Sequence, residues 1–324
     1  MEKVKLNLYI SVDDLLEIVL LTPKDSFNDM LLKAKTGEEI YLYSEFVELV
    51  LNRSKLHLDC IDKFEEKASN PLFKQLLKKH TGSSFKLNFE DYQYLDDVDY
   101  SEVCEPNIIQ FKDNAIINEN RGYFTCSKAN WNDKFPKLLK HTNIFINDKA
   151  LNVWNEFKNT KLPSNSLIIT DHYILDKKND VKNNLEAMVD AILPSHLNTS
   201  YHISIITLDD DSLNVPAYFQ KRLEKLTALR DYTIKINVYL VKKNKVHDRT
   251  ILSNYWIAES GHGFDYYNEK GSIKGNHNTK LSISGINSVN YVYYEHIRLQ
   301  MKSIIKDLEP VCTLNGSFKN RLLY

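Results

Sequence analysis

Hydrophobic and polar residues fall in blocks that switch between the two-residue period of a strand and the 3.6-residue period of a helix. The switching is cleanest from about residue 163. SLIITDHYIL reads as a strand, DVKNNLEAMVDAIL as an amphipathic helix ended by Pro194, and YHISIITL as a buried strand. PAYFQKRLEKLTALR follows as a helix with Pro216 in its first turn. TIKINVYLV is a strand, TILSNYWIA another, and EHIRLQMKSIIKDLE a helix near the end. This alternation predicts an α/β fold, a mixed or mostly parallel sheet flanked by helices.

The first half is less regular. VKLNLYI predicts a strand, VDDLLEIVLL and SFNDMLLKAK helices, and EEIYLYSEFVELVLNR a strand passing into a helix. PLFKQLLKKH is a helix opened by Pro71 and closed near Gly82. NIIQFKDNAIINE and TNIFIN are strand candidates, and DKALNVWNEFKN a helix capped by Asp148. The expected organisation is an N-terminal α/β region over 1–160, with an acidic loop near 89–106, and a second domain over 163–324. No catalytic motif marks the N-terminal region, which suits a partner-binding module or an eroded copy of the same α/β unit.

Composition adds bounds. The 324 residues are 43% hydrophobic and 26% charged, ordinary for a globular protein. No apolar run is long enough for a membrane span, and acidic residues break the N-terminal apolar stretch, so the expectation is cytoplasmic. Cys60, Cys104, Cys126 and Cys312 lie far apart without CxxC spacing, which points to free thiols. Abundant Lys, Asn and Ile with scarce Gly suggest an AT-rich, bacterial coding genome. The net charge of −1 hides an asymmetry. Phe89–Pro106 carries seven acidic and no basic side chains, whereas Pro216–Lys306 holds fifteen Lys and Arg against seven Asp and Glu. A basic region of this kind favours a polyanionic partner, nucleic acid above a lipid surface.

The basic half contains HDRTILSNYWIAESGHGFD, residues 247–265. His247, Arg249 and Asn254 are followed, after six intervening residues, by Gly261, His262 and Asp265. A strand and a short basic turn precede the His. These residues resemble the HxKxxxxD and GSxxN pattern of phospholipase D-like phosphodiesterases and nucleases. His247 and Gly261 keep the family's residue types. Arg249 stands for Lys, Asn254 for Asp, His262 for Ser and Asp265 for Asn.

The resemblance implies phosphodiester cleavage without metal or cofactor, on nucleic acid. His247 would attack phosphorus to give a phospho-histidine, and a second His would protonate the leaving oxygen. Arg249 would hold the phosphate bidentately and Asn254 would orient His247. His262 would bind phosphate or carry a proton, and Lys245, Ser260, Gly261 and Asp265 would complete substrate binding. There is one such motif. His57, His80, His141, His172, His196, His202, His277 and His296 lack it; His172 comes nearest but has Ile174 where a Lys is wanted. Single-motif relatives solve this by dimerising, which implies a homodimer with His247 of both copies at the seam. His262 of the same chain is the other candidate donor.

Three alternatives stay open. The first is a catalytically inactive binding or assembly subunit, of a bacterial defence or mobile-element system for instance, with a protein partner on the N-terminal half. The second is a metal site drawn from His247, Asp248, His262 and Asp265, whose spacing matches no metal motif. The third concerns lesser features. GSIKGNHNTK (271–280) reads as a surface loop able to close over a phosphate, and YVYY (291–294) as aromatic residues at strand spacing, for the core or for stacking bases.

Overall fold

The computed structural model describes residues 7–10, 108–111, 121–126, 134, 137, 140–147, 152–159, 162–176, 180–208, 216–242, 249–275, 279–285 and 288–323. The helices expected before residue 82 and the acidic loop lie outside them. The chain divides into two compact units, one of residues 1–119 and 123–136, the other of residues 120–122 and 137–324. In the first, β1 (Asn7–Ile10), β2 (Ile108–Phe111) and β3 (Phe124–Cys126) form a parallel sheet in that order.

The second unit is built on an eight-stranded sheet. Its strands are β4 (His141–Ile146), β5 (Ser166–Thr170), β6 (Tyr201–Leu208), β7 (Ile234–Val241), β8 (Arg249–Ser253), β9 (Trp256–Ser260), β10 (Thr279–Gly285) and β11 (Cys312–Leu314). The spatial order is β11-β7-β6-β5-β8-β9-β10-β4. β5, β6 and β7 are mutually parallel, and every other pairing is antiparallel. The fold is therefore α/β with a mixed sheet. β4, although it precedes residue 160, belongs to this sheet as an edge strand.

Burial explains the layering. All five residues of β5 and seven of the eight in β6 are buried, so both faces of the central strands are covered. Alternation assigns the faces. One carries Ile168, Thr170, Ser204, Leu252 and Glu259; the other carries Leu167, Ile169, Ile203, Ile205, Ile251 and Ala258. The first face receives α4 (Ser288–Ile305), whose Tyr294, Ile297, Met301 and Ile305 are buried at helical spacing. The Tyr293 hydroxyl of α4 donates to Glu259 at 2.6 Å, and that of Tyr294 to the Ser253 carbonyl at 2.6 Å. The second face receives α1 (Asn155–Asn159), whose Phe157 ring lies 5.5 Å from Trp256, and α2 (Ala187–Ile192) packs against α1. α3 (Pro216–Thr227) packs on β7 and β11.

Several expectations are corrected. TILSNYWIA is not one strand: it breaks at Asn254–Tyr255 into the hairpin β8–β9. YVYY is not a strand but lies in α4, which starts seven residues before the expected EHIRLQ helix. SLIITDHYIL ends as a strand at Thr170 and continues as a turn. The helix at DVKNNLEAMVDAIL begins as a π turn over Lys182–Glu186, closed by Glu186 N–H to Val181 O at 2.8 Å. Among the described residues no helix is long and apolar enough to cross a membrane. Cys312 is a buried free thiol whose pKa burial pushes up.

The closed end of the β8–β9 hairpin is tied to β5 by side-chain amides. Asn254 is fully buried; its Oδ1 accepts the N–H groups of Asn165 (3.0 Å) and Ser166 (3.2 Å), and its Nδ2 donates to Asn165 Oδ1 (3.0 Å). Asn254→Ala strips the acceptor from two buried N–H groups, an expected cost of about 2–4 kcal/mol. Denaturant unfolding of the full chain measures it; an unchanged midpoint would refute the clamp.

Candidate functional site

The parallel strands β5, β6 and β7 end at Thr170, Leu208 and Val241, on the sheet edge where α/β proteins collect ligands. β8 runs antiparallel to β5, so its first residue, Arg249, starts at this same edge. The register carries a polar row along it. Thr170 pairs with Thr250, which sets Asp171, one residue beyond β5, against Arg249; Arg249 in turn pairs with Ser260 at the end of β9. Arg249 and Ser260, as a registered pair, occupy one face, and Arg249 lies within electrostatic reach of Asp171.

The chain leaving β9 folds back over this row. The Ser260 hydroxyl donates to the Gly263 carbonyl (2.5 Å) and accepts from the Tyr266 hydroxyl (2.7 Å). Tyr266 is buried, stacked on Trp154 at 5.3 Å, and burial drives its pKa upward. The π turn before α2 aims two asparagines at the next residues. Asn184 exchanges both backbone bonds with Tyr267, at 2.8 Å each, and Asn183 Nδ2 donates to the Asn268 carbonyl at 3.0 Å. Asp265 ion-pairs with Lys274 at 2.8 Å.

Asp171 locks the turn. Its side chain is buried; one oxygen accepts the Tyr173 N–H (2.8 Å), the other the Phe264 N–H (2.7 Å). Gly263, at φ +98°, lies so close that a Cβ there would sit 2.9 Å from Asp171 Oδ2. Burial pushes the Asp171 carboxyl up to about 6 from 3.8, against the pull of the two N–H groups; Asp265 adds to the rise and Arg249 opposes it.

Five of the sequence candidates thus meet at one edge: Arg249, Ser260, Gly261, His262 and Asp265. Gly261 and His262 are exposed, whereas Ser260 is buried with its hydroxyl engaged at both ends of the turn. Asn254 sits apart, at the closed end of the hairpin whose open end holds Arg249. Its amide is committed to Asn165 and Ser166. His247 and Lys245 lie outside the described residues. His172 is buried, and its carbonyl accepts Thr207 Oγ1 at 3.0 Å. Among the described residues, no group of three or more His, Cys, Asp or Glu is arranged to hold a metal ion.

Sequence reasoning passed over Asp171, Lys274 and Tyr266. For Asp171 a signal existed: a carboxylate directly after the apolar run SLIIT, at the carboxyl end of a predicted parallel strand.

Comparison with known proteins agrees with this architecture. Residues 157–283 match the family described as "Phospholipase D-like domain at C-terminus of MIT". The C-terminal half of the chain therefore carries a phospholipase D-like domain. Among curated proteins none matches the chain. A solved structure of TrmBL2, described as an archaeal chromatin protein with a novel mode of DNA binding, overlaps 53% of this chain at 7% identity and a TM-score of 0.29. The overlap spans about half (54%) of that protein and, at this score, establishes no common fold.

A carboxyl group whose pKa is raised on folding favours the folded state when protonated. The stabilisation from Asp171 is complete below pH 3.8 and is lost as pH rises through about 6. The interval corresponds to about 3 kcal/mol. Thermal melts from pH 4 to 6.5 are expected to show this loss in the wild type and not in Asp171→Asn; parallel pH profiles would refute it.

Proposed function

We propose that the phospholipase D-like domain is a metal-independent phosphodiesterase acting on nucleic acid, with His247 as the nucleophile that forms a phospho-histidine. Arg249 neutralises the phosphate oxygens by a bidentate contact that needs no proton transfer. His262, exposed beside Gly261, binds phosphate or carries a proton. The observation that carries this reading is the convergence of Arg249 and the Ser260–Asp265 turn on one sheet edge, with His247 two positions before Arg249 in sequence. The family match to residues 157–283 supports it, and the basic excess of Pro216–Lys306 favours nucleic acid over a neutral diester. One motif per chain favours a homodimer that brings two His247 rings to one phosphate.

A second reading is a domain that binds phosphodiesters without cleaving them. The place of Asn254 favours it: its amide is spent at the far end of the hairpin, so this position supplies no charge to steady an imidazolium.

The test is cleavage of a labelled single-stranded oligonucleotide in EDTA. Under the first reading wild-type protein cleaves, while His247→Ala loses activity by at least about a thousandfold, as expected for loss of a nucleophile, and still binds. Binding without cleavage in both would establish the second reading. Activity abolished by EDTA would overturn the metal-independent route. For the dimer, light scattering should give twice the chain mass, and mixing His247→Ala with an inactive His262→Ala chain should restore no activity if each site needs both His247 rings.

A further inference from the structure

Asp171 lies in the anion site yet belongs to no part of the motif. It stands between two things that site needs. Arg249 follows directly on the Thr170–Thr250 pair and lies within electrostatic reach of the carboxylate, whose pKa it lowers. Through Oδ2 it holds the Phe264 N–H, and so the turn that presents Gly261 and His262. Through Oδ1 it holds the Tyr173 N–H of its own turn. Gly263 comes so close that a Cβ there would sit 2.9 Å from Oδ2, so only glycine leaves room for the carboxylate at this point of the turn. A negative group fixed beside Arg249 attracts the same guanidinium that an incoming phosphate must use.

We propose that Asp171 is a proton-linked positioning residue of the phosphodiester site: ionised it shares Arg249 with the substrate, and protonated it releases Arg249 to a bound phosphate while still holding the turn. This rests on the reading of Arg249 as a phosphate contact. Binding then takes up a proton. An anion at Arg249 repels the ionised carboxylate and favours its neutral form, on top of the burial that already lifts the group. By linkage, affinity is highest below about pH 6 and falls as pH rises, until the carboxyl is ionised in the complex as well.

Other groups face this carboxylate. Arg249 comes from β8, Asp265 and Tyr266 from the turn after β9, and the Tyr173 N–H from its own turn, where His172 is the neighbouring titratable residue; Lys274 acts on it through Asp265. Protonated histidines attract phosphate in the same direction of pH, so only variants that keep His247 and His262 are compared.

The probe is a fluorescein-labelled single-stranded oligonucleotide, titrated with the full chain from pH 5.5 to 8 at fixed salt. Asp171→Asn removes the charge and keeps a carbonyl acceptor. It is expected to bind roughly five- to tenfold more tightly than wild type at pH 7.5, the scale of two unit charges about 4 Å apart in a fully water-like dielectric. The two should converge near pH 5.5, so the variant shows the shallower profile. Asp171→Ser, smaller and also neutral, replaces it if the Asn variant does not melt cooperatively. A purely structural Asp171 predicts the opposite: weaker binding at every pH with the wild-type slope, which overturns the proposal. Arg249→Ala separates the two claims. If it binds like wild type, the phosphate role of Arg249 fails and this inference falls with it. If it loses binding while Asp171→Asn keeps the wild-type slope, only the role of Asp171 fails. No binding by wild type overturns both.

Discussion

Strand β5 is buried on both faces, so its backbone groups must be paired on both edges or pay the cost of burial unbonded. One edge is met by β6 in parallel, the other by β8 in antiparallel. That second pairing decides where the candidate site falls. An antiparallel neighbour begins where β5 ends, so Arg249 is delivered to the carboxyl edge of the parallel strands, beside Asp171. A parallel β8 would have put Arg249 at the other edge, with the Asn254 clamp in its place.

The turn after β9 depends on this arrangement in a definite order. β9 must end opposite Arg249 before Ser260 can bridge Gly263 and Tyr266. Tyr266 must reach Trp154 before Tyr267 meets Asn184. The π turn supplies the reach, because one extra residue in the helical ladder rotates Asn183 and Asn184 so that both address the turn. A loop held by two asparagines, a buried aromatic stack and Asp171 has little freedom, and Gly261 and His262 are presented on a fixed frame.

Much of this was legible in the residues. The β5, β6 and β7 strands with their helices follow from apolar runs and proline breaks, and the resemblance to phospholipase D-like proteins came from the retained His247 and Gly261 in the family's spacing, after a strand and a basic turn. The hairpin break was not legible, because Asn254–Tyr255 lacks the Gly that marks most two-residue turns, and the amide network that fixes it is set by Asn165, 89 positions away. YVYY misled because aromatic residues suit strands by propensity, whereas here Tyr294 serves the helical stripe of α4 and Tyr293 reaches sideways to Glu259. β10 was overlooked because TKLSISG carries two serines and a lysine, although its Leu281 and Ile283 alternate as a half-buried strand requires. Asp171 escaped because its importance comes from burial and from a backbone N–H 93 positions away.

The charges at this edge explain why a phosphodiester site would need more than its motif. Asp265 is matched by Lys274, and Asp171 feels the charge of Arg249, so these two cations are each set against a carboxylate. An anion binding there must displace part of that compensation or bring a proton with it. The protein has two ways to tip the balance. One lies in sequence: Lys242, Lys243, Lys245 and His247 crowd the connection that precedes Arg249. The other lies in burial, which makes Asp171 the carboxylate easiest to neutralise, since the desolvation that raises its affinity for a proton is the same desolvation that strengthens Arg249 as an electrostatic partner. A fully exposed acid at this position would be screened by water and would neither oppose a phosphate nor yield to it; a buried one would do both, and would so link the affinity of the proposed site to the proton.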